Sequence, residues 1–367
     1  MTVSVRIRET RDASYSILIG GGLLADLPAA ARAAAPAARY AVISDATVAP
    51  LYGERVAGAF RAAGLSATLF SFAAGEPFKS RETWATLSDQ LLAAGFGRDC
   101  AVIAVGGGVV GDVAGFVAAT YLRGVPYVQV PTTLLAMIDS SIGGKTGVDV
   151  SAGKNLIGAF HQPRLVLADL DVLESLPSGH LAAGVAEAVK HGVIADAEYF
   201  GVLEATHAAV LRREPAALER VVARSVEIKG HIVGADEREA GQRAVLNFGH
   251  TVAHALEVTA HYAMLHGEAV AVGMVCEARL AASLGIAPED TATRIGAPLR
   301  RAGVPHTPTP ALSVEALLAA MHYDKKTRAG VVRFALPRAI GAMHGDAASG
   351  WTVTAPEAAV RAVLAAH

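Results

Sequence analysis

The stretch Cys100-Ala-Val-Ile-Ala-Val105, running straight into Gly106-Gly-Gly-Val-Val-Gly-Asp112, constrains this chain more than any other feature. An unbroken apolar run without polar alternation cannot line a sheet that is wet on one side. It needs cover on both faces, as a central strand of a parallel sheet has. The glycines end the strand and open a helix, whose free N–H groups and partial positive charge suit an anion. The same alternation recurs on either side. Residues 3–7, 16–19, 40–43, 67–72 and 127–130 read as strands, and 48–63 (with Gly64 as C-cap) and 81–94 as helices. The class is therefore α/β, a parallel sheet with helices on both faces.

From about residue 176 the texture turns helical, with apolar periodicity at 180–194, 215–233, 251–261, 268–284 and 314–321, and one short strand at 331–336. The boundary is expected between residues 173 and 179. It separates an α/β domain, 1–175, from a mainly α-helical domain, 176–367. A chain of 367 residues is long enough for each to bury its own core.

Composition removes several classes of function. A net charge of -2 gives no global attraction for nucleic acid. No apolar run reaches the roughly 18 residues of a membrane span. Residues 1–12 alternate charged and apolar side chains, unlike a signal peptide. Cys100 and Cys276 are far apart and outside any paired-thiol motif. A reduced, cytoplasmic enzyme without nucleic-acid or membrane partners is the expectation.

Three groups of residues carry chemistry. Gly106, Gly108 and Gly111 satisfy the dinucleotide pattern G-x-G-x-x-G in its required strand-to-helix setting. The acidic residue for the ribose is missing at the usual spacing, and Asp45, at an earlier strand end, is the better candidate. Next come Pro131-Thr-Thr133, Asp139-Ser-Ser-Ile-Gly-Gly-Lys-Thr-Gly147 and Lys154-Asn155. Lysines and hydroxyls set among glycines suit anions, because ammonium and backbone can approach together. Gly143 to Thr146 mimics a phosphate loop of the Walker type, but Asp139 and Ser140 stand where its first glycine is needed.

The third group lies in the helical half: Glu187, Lys190 and His191, then His250 and His254, then His266-Gly-Glu268. Imidazoles with a carboxylate make a catalytic zinc set that leaves one position for substrate. On spacing alone His250 and His254, four apart, are the obvious helical pair. Lys229, the acidic run Asp236-Glu-Arg-Glu239, Arg243 and Asn247 lead into His250, and Asp324-Lys-Lys326 lies far downstream. Each element has an ordinary reading as solvated lysines, core histidines or a charged helix end. An apolar helix that collects so many ionisable groups argues against packing alone.

In this order, Gly106 to Asp112, Pro131 to Thr133, Asp139 to Gly147, Lys154 to Gly158, Ala186 to Lys190, Asp236 to Glu239, Leu246 to Thr251 and His266 to Glu268 resemble the 3-dehydroquinate synthase family, over about residues 40–340. The resemblance implies a Rossmann-like N-terminal domain, a helical C-terminal domain, an active site between them and a homodimer. It implies NAD and a divalent metal, Zn2+ or Co2+, as cofactors. The metal ligands it implies are Glu187, His250 and His266, with His254 moved to the substrate side. Implied NAD contacts are Asp45, Glu76, Lys79, Gly107, Gly108, Asp112, Thr132, Thr133, Asp139, Lys145, Lys154 and Asn155. Implied substrate contacts are Arg123 (reaching a neighbouring subunit), Lys145, Asn155, Lys190, Lys229, Arg243, Asn247, His254 and one of Lys325 and Lys326. Where the family often has an Arg-Glu pair after Leu176-Pro177, this chain has Gly179-His180, so no cofactor contact is assigned there.

The implied reaction turns a seven-carbon keto-acid sugar phosphate into a carbocycle on the shikimate route. A transient NAD oxidation acidifies a C–H, phosphate leaves, the hydride returns, and an intramolecular aldol step closes the ring. The substrate's phosphate and carboxylate account for the lysines and arginines, and Lys190 and His254 are candidates for proton relay. The alternatives are a cyclase for another sugar phosphate, a metal-dependent alcohol dehydrogenase of the glycerol dehydrogenase type, and a non-catalytic binding module. The dehydrogenase has no need of Lys145, Lys154, Lys229 and Arg243 together, and the module predicts lost metal ligands.

Overall fold

The computed structural model describes residues 12–151, 153–307, 312–323 and 331–366. Its N-terminal half contains strands β1 (Ser16–Gly20), β2 (Arg39–Asp45), β3 (Ser66–Phe72), β4 (Cys100–Gly106) and β5 (Tyr127–Pro131), a hairpin of β6 (Lys145–Val150) and β7 (Gly153–Phe160), and β8 (Leu165–Asp169). Six of them form one sheet in the order β1-β8-β5-β4-β2-β3, parallel throughout. Helices α1 (Leu27–Ala34), α2 (Glu54–Ala62), α3 (Arg81–Ala93) and α4 (Gly108–Thr120) link and cover it. The helix expected at 48–63 opens as a π-turn, Ala49–Gly53, before α2. The strand expected at 3–7 lies outside the described residues.

Period-two burial explains why the central strands read as continuous apolar runs. Along β4, Ala101, Ile103 and Val105 enter one core, and Cys100, Val102 and Ala104 enter the core on the other face. The second core is closed by α3, α4 and the β6–β7 hairpin through Leu87, Val113 and Val148. The first runs without a break into the helical half. The halves therefore share one core across a sheet face, where the chain length suggested a separate core for each.

After β8 a 3-10 helix, Leu170–Ser175, leads to α5 (Ser178–Ala195), α6 (Ala197–Leu211), α7 (Pro215–Ala235), α8 (His250–Thr259), α9 (His266–Ser283), α10 (Thr291–Arg301) and α11 (Val314–Tyr323). A two-stranded ribbon of β9 (Pro337–Ala339) and β10 (Ala342–Met343) and helix α12 (Glu357–Ala365) complete the described chain. Residues 331–336 are not the expected strand. Phe334 makes one isolated bridge to Val353, and ladder pairing begins only in the ribbon. The segment around Lys145 and Lys154, where lysines are set among glycines, is the hairpin. Its Gly147 faces Gly158, and Val148 and Ile157 pack towards α4.

Candidate active site

The chain leaves β2 towards β3 but leaves β4 in the opposite direction, towards β5. A crevice opens where these connections diverge, beyond the carboxyl ends of β2 and β4. Asp45 ends β2, and the glycine turn ends β4. The Ser44 hydroxyl ties the two ends together by donating to the Val105 carbonyl at 2.8 Å. The Asp45 carboxylate accepts from the Thr47 and Val48 amides at 2.8 and 2.9 Å, which fixes it at the crevice edge. Gly107 precedes α4 and offers no side chain to cap its first N–H groups. Beside it, the buried Thr132 hydroxyl has no hydrogen-bond partner among the described residues. An uncapped helix start and an unsatisfied hydroxyl at a switch point are the features a dinucleotide's phosphates require.

Along the rim the expected cofactor residues are joined to one another. Lys79 Nζ lies 2.5 Å from Asp112 and donates to Asn155 Oδ1 at 2.5 Å. Lys154 Nζ lies 2.9 Å from Glu76. Burial opposes the charge on Lys79 and Lys154, but the surrounding carboxylates win and hold both ammonium groups above their ordinary pKa.

Facing the crevice, α5, α8 and α9 bring Glu187, His250 and His266 together, each with a ligand atom within 4.8 Å of the others. Glu187 Oε1 lies 3.4 Å from His266 Nε2 and 3.7 Å from His250 Nε2. The carboxylate is fully buried. Two imidazole nitrogens around such a carboxylate suit a divalent ion. Burial pushes the Glu187 carboxyl up, but Lys190, with Nζ 2.5 Å from Oε2, holds it below the carboxylate range. His266 loses charge stability through burial, yet its hydrogen bonds to Glu187 and Glu257 push it up to about 10. The convergence depends on close backbone approach. A methyl on Gly267 would strike the backbone of Ala183 in α5, and one on Gly273 would strike the carbonyl of Gly249 before α8.

His254 is not among the converging ligand atoms, so the pair suggested by four-residue spacing does not form. Its ring stands edge-on to His250, with centroids 5.7 Å apart. A second group, Asp139, Glu187 and His191, is also compact, but ammonium groups already serve its carboxylates. Lys229 Nζ lies 2.8 Å and Lys190 Nζ 3.7 Å from Asp139 Oδ1. Burial lifts the Asp139 carboxyl, but these cations bring it well below its ordinary value. Lys229 is shifted down by burial, which Asp139 only partly offsets.

A further wall comes from the 3-10 helix Gln242–Asn247 and the hairpin. Glu239 accepts from Lys145 and, at 2.5 Å, from Asn247 Nδ2. Arg243, 2% exposed, donates to the carbonyls of Glu237 and Gly143. Arg123 is exposed just past α4, a helix of 13 residues and so about 20 Å long. It therefore sits at the far end of α4 from the glycine turn. Lys325 and Lys326 lie outside the described residues.

Two buried carboxylates escaped the sequence reading. Glu277, on α9, accepts from the amides of Gly249, Thr251 and Val252 at 2.7, 3.1 and 3.2 Å, and so anchors the start of α8 that carries His250. Glu257 sits 3.2 Å from His266 Nδ1. The available signal was a lone charge in an apolar helix, which demands a partner.

The family profile described as 3-dehydroquinate synthase N-terminal matches residues 69–183, and the one described as 3-dehydroquinate synthase C-terminal matches 184–327. A 3-dehydroquinate synthase from Symbiobacterium thermophilum is 50% identical over 331 residues, 90% of this chain and 92% of that protein. Among solved structures, ValA, a 2-epi-5-epi-valiolone synthase from Streptomyces hygroscopicus subsp. jinggangensis 5008 with NAD+ and Zn2+ bound, superimposes with a TM-score of 0.88. It is 32% identical and covers 98% of both chains. A 2-deoxy-scyllo-inosose synthase complexed with carbaglucose-6-phosphate, NAD+ and Co2+ also gives 0.88, at 26% identity and 95% of both chains.

Proposed function

This chain belongs to the 3-dehydroquinate synthase family, and we propose that the crevice between its glycine turn and helices α5, α8 and α9 is where that reaction runs. The activity is conversion of 3-deoxy-D-arabino-heptulosonate 7-phosphate into 3-dehydroquinate and phosphate. The observation that carries the reading is the convergence of Glu187, His250 and His266 opposite the β2–β4 switch point.

In this reading Glu187, His250 and His266 hold the metal, and Asp45, Gly107, Gly108, Thr132 and Thr133 receive the dinucleotide. Glu76, Lys79, Asp112, Asp139, Lys145, Lys154 and Asn155 complete that side. When bound, NAD supplies reversible hydride acceptance and the metal supplies charge stabilisation at the substrate's hydroxyl oxygens. The chain's own residues do the rest. Lys190, held between Glu187 and Asp139, has donors aimed at the same floor and serves as proton relay with His254. Lys229 and Arg243 approach from α7 and the turn after it, and Lys145 from the hairpin. The substrate's carboxylate and phosphate thus meet cations on two walls. Glu239 keeps Lys145 and Asn247 in place before substrate arrives. Complete burial of Glu187 and His191 gives the floor a low dielectric, which strengthens these interactions.

We place the domain boundary between residues 175 and 176, in the link between β8 and α5. The chain acts as a homodimer in the cytoplasm, and Arg123 of one copy serves the site of the other. Among the described residues no helix is long and apolar enough to cross a membrane.

The test is phosphate release from the seven-carbon substrate, followed together with absorbance of NADH. Release that needs both NAD+ and Zn2+, is stopped by chelation and leaves no net NADH is the expected result. Net NADH without phosphate would identify a dehydrogenase. No turnover despite bound NAD and metal would point to a cyclase for another sugar phosphate.

A further inference from the structure

His266 is gripped at both ring nitrogens. Nε2 faces Glu187, and Nδ1 lies 3.2 Å from Glu257 Oε1. Glu257 is 2% exposed, and α8 carries it seven residues after His250, on the same helical face. Its Oε1 also accepts from Lys154 Nζ at 3.1 Å, and Oε2 has no hydrogen-bond partner among the described residues. Lys154 is held in turn by Glu76 at 2.9 Å and lies over the Tyr262 ring, 4.5 Å from its centroid. His250 is oriented differently, by a contact of 3.1 Å between Nδ1 and the Phe248 carbonyl.

We infer that Glu257 is a positioning residue for the metal site: it takes the Nδ1–H of His266, so that Nε2 is left as the lone-pair donor facing Glu187 and His250. An imidazole has one proton to place when neutral, and a carboxylate at Nδ1 decides which nitrogen keeps it. Lys154 fixes the carboxylate in turn, so Glu257 joins the metal side of the cleft to the rim that carries Glu76. A backbone carbonyl suffices at His250 because that residue is the first of α8 and is set by the helix start. His266 opens α9 after a loop whose His261 and Tyr262 have left-handed backbones, and it draws orientation from a side chain instead.

The inference rests on Glu187, His250 and His266 being the ligands, and the experiment separates the two claims. Full-length protein is stripped with chelator and titrated with Zn2+ against a competing indicator. The visible spectrum is recorded after loading with Co2+, and the urea midpoint of the metal-free form is measured alongside. Glu257→Gln keeps an acceptor but loses the charge, and Glu257→Ala loses both. Zn2+ affinity should fall about 10-fold for the first and up to about 100-fold for the second, the range found when such outer partners are removed. The Co2+ spectrum should change in step. A merely structural role would move the urea midpoint and leave the affinity of the folded protein alone, so a fall of less than about threefold in both variants overturns the inference. If neither folds, Lys154→Met, which only loosens the carboxylate, decides in their place: a measurable weakening supports the inference and parental affinity overturns it. Glu187→Gln is the control. Parental Zn2+ affinity there would mean that the ligand assignment has failed.

Discussion

Glu187 and Lys190 form a pair whose strength follows from its burial. Their charged atoms are 2.5 Å apart and both side chains are at most 1% exposed. At an effective dielectric of about 20 the attraction is about 7 kcal/mol, most of it offset by the cost of taking both charges out of water. The net worth of the pair is therefore small, while the cost of breaking it is large. Removing one partner of a buried pair typically costs about 3–5 kcal/mol. Glu187→Gln should fall at the lower end, about 3 kcal/mol, because Lys190 keeps Asp139 at 3.7 Å. Lys190→Met should cost somewhat less, since His250 and His266 remain beside the stranded carboxylate.

The double variant should recover to within about 1 kcal/mol of the parent, because replacing a buried pair as a whole is often neutral. Urea denaturation of chelator-treated protein at neutral pH measures all four corners of the cycle. The expected coupling, the sum of the single costs less that of the double variant, is about 4 kcal/mol. Costs that add to within about 0.5 kcal/mol, the behaviour of independent sites, would refute the reasoning. The same Glu187→Gln variant should lose turnover while NAD binding stays within about twofold of the parent, a difference of less than 0.5 kcal/mol. Equal loss of both would show that metal and dinucleotide sites are not carried by separate parts of the cleft.

Glu277→Ala strands three amides at the start of α8, and should cost about 2–3 kcal/mol in urea denaturation and weaken Zn2+ binding through His250. Gly267→Ala forces α9 away from Ala183; a loss of about 1–3 kcal/mol from overpacking, with a fall in kcat larger than any rise in KM, is expected in steady-state kinetics. Asp196 caps α6 by accepting from the Tyr199 amide at 2.9 Å and pairs with Arg224, so Asp196→Ala should cost about 1 kcal/mol at neutral pH. Burial raises its carboxyl, but the Tyr199 amide and Arg224 bring it below its ordinary value, so this stabilisation is present above about pH 4 and fades as pH falls through the folded pKa. Denaturation of parent and variant at neutral and strongly acidic pH should show the gap closing.

The parallel sheet was legible because double-sided burial leaves an unmistakable trace. β2, β4 and β5 are apolar on both faces, and each ends where a glycine, an acid or a proline breaks the run. β8, Leu165–Asp169, has the same texture but went unread. The hairpin was concealed by its own composition. Gly147, Gly153 and Gly158 remove side chains from the alternation, and Leu156 and Phe160 are 42% and 41% exposed, so the apolar signal points outward. α6 and α12 were missed for another reason. Alanine-rich segments have helical propensity but weak contrast between faces, and tertiary packing decides whether they form.

The site shows where such reading stops. Residue types named the chemistry, because carboxylate, imidazole and ammonium groups do not collect in apolar helices without cause. Spacing could not name the partners. A separation of four relates two side chains on one helix, and His254 meets that condition as well as any ligand could. The third side of the metal group arrives instead on α9, sixteen residues after His250. Its arrival is set by Gly267 and Gly273, which let α9 lie against α5 and against the turn before α8. Those glycines read as helix defects when the chain is taken one segment at a time. In the folded molecule their missing side chains are the space that the metal site needs. A glycine inside an apolar helix, next to a histidine as Gly267 is or against the start of another helix as Gly273 is, is therefore a mark of tertiary convergence that a search for ligand spacing overlooks.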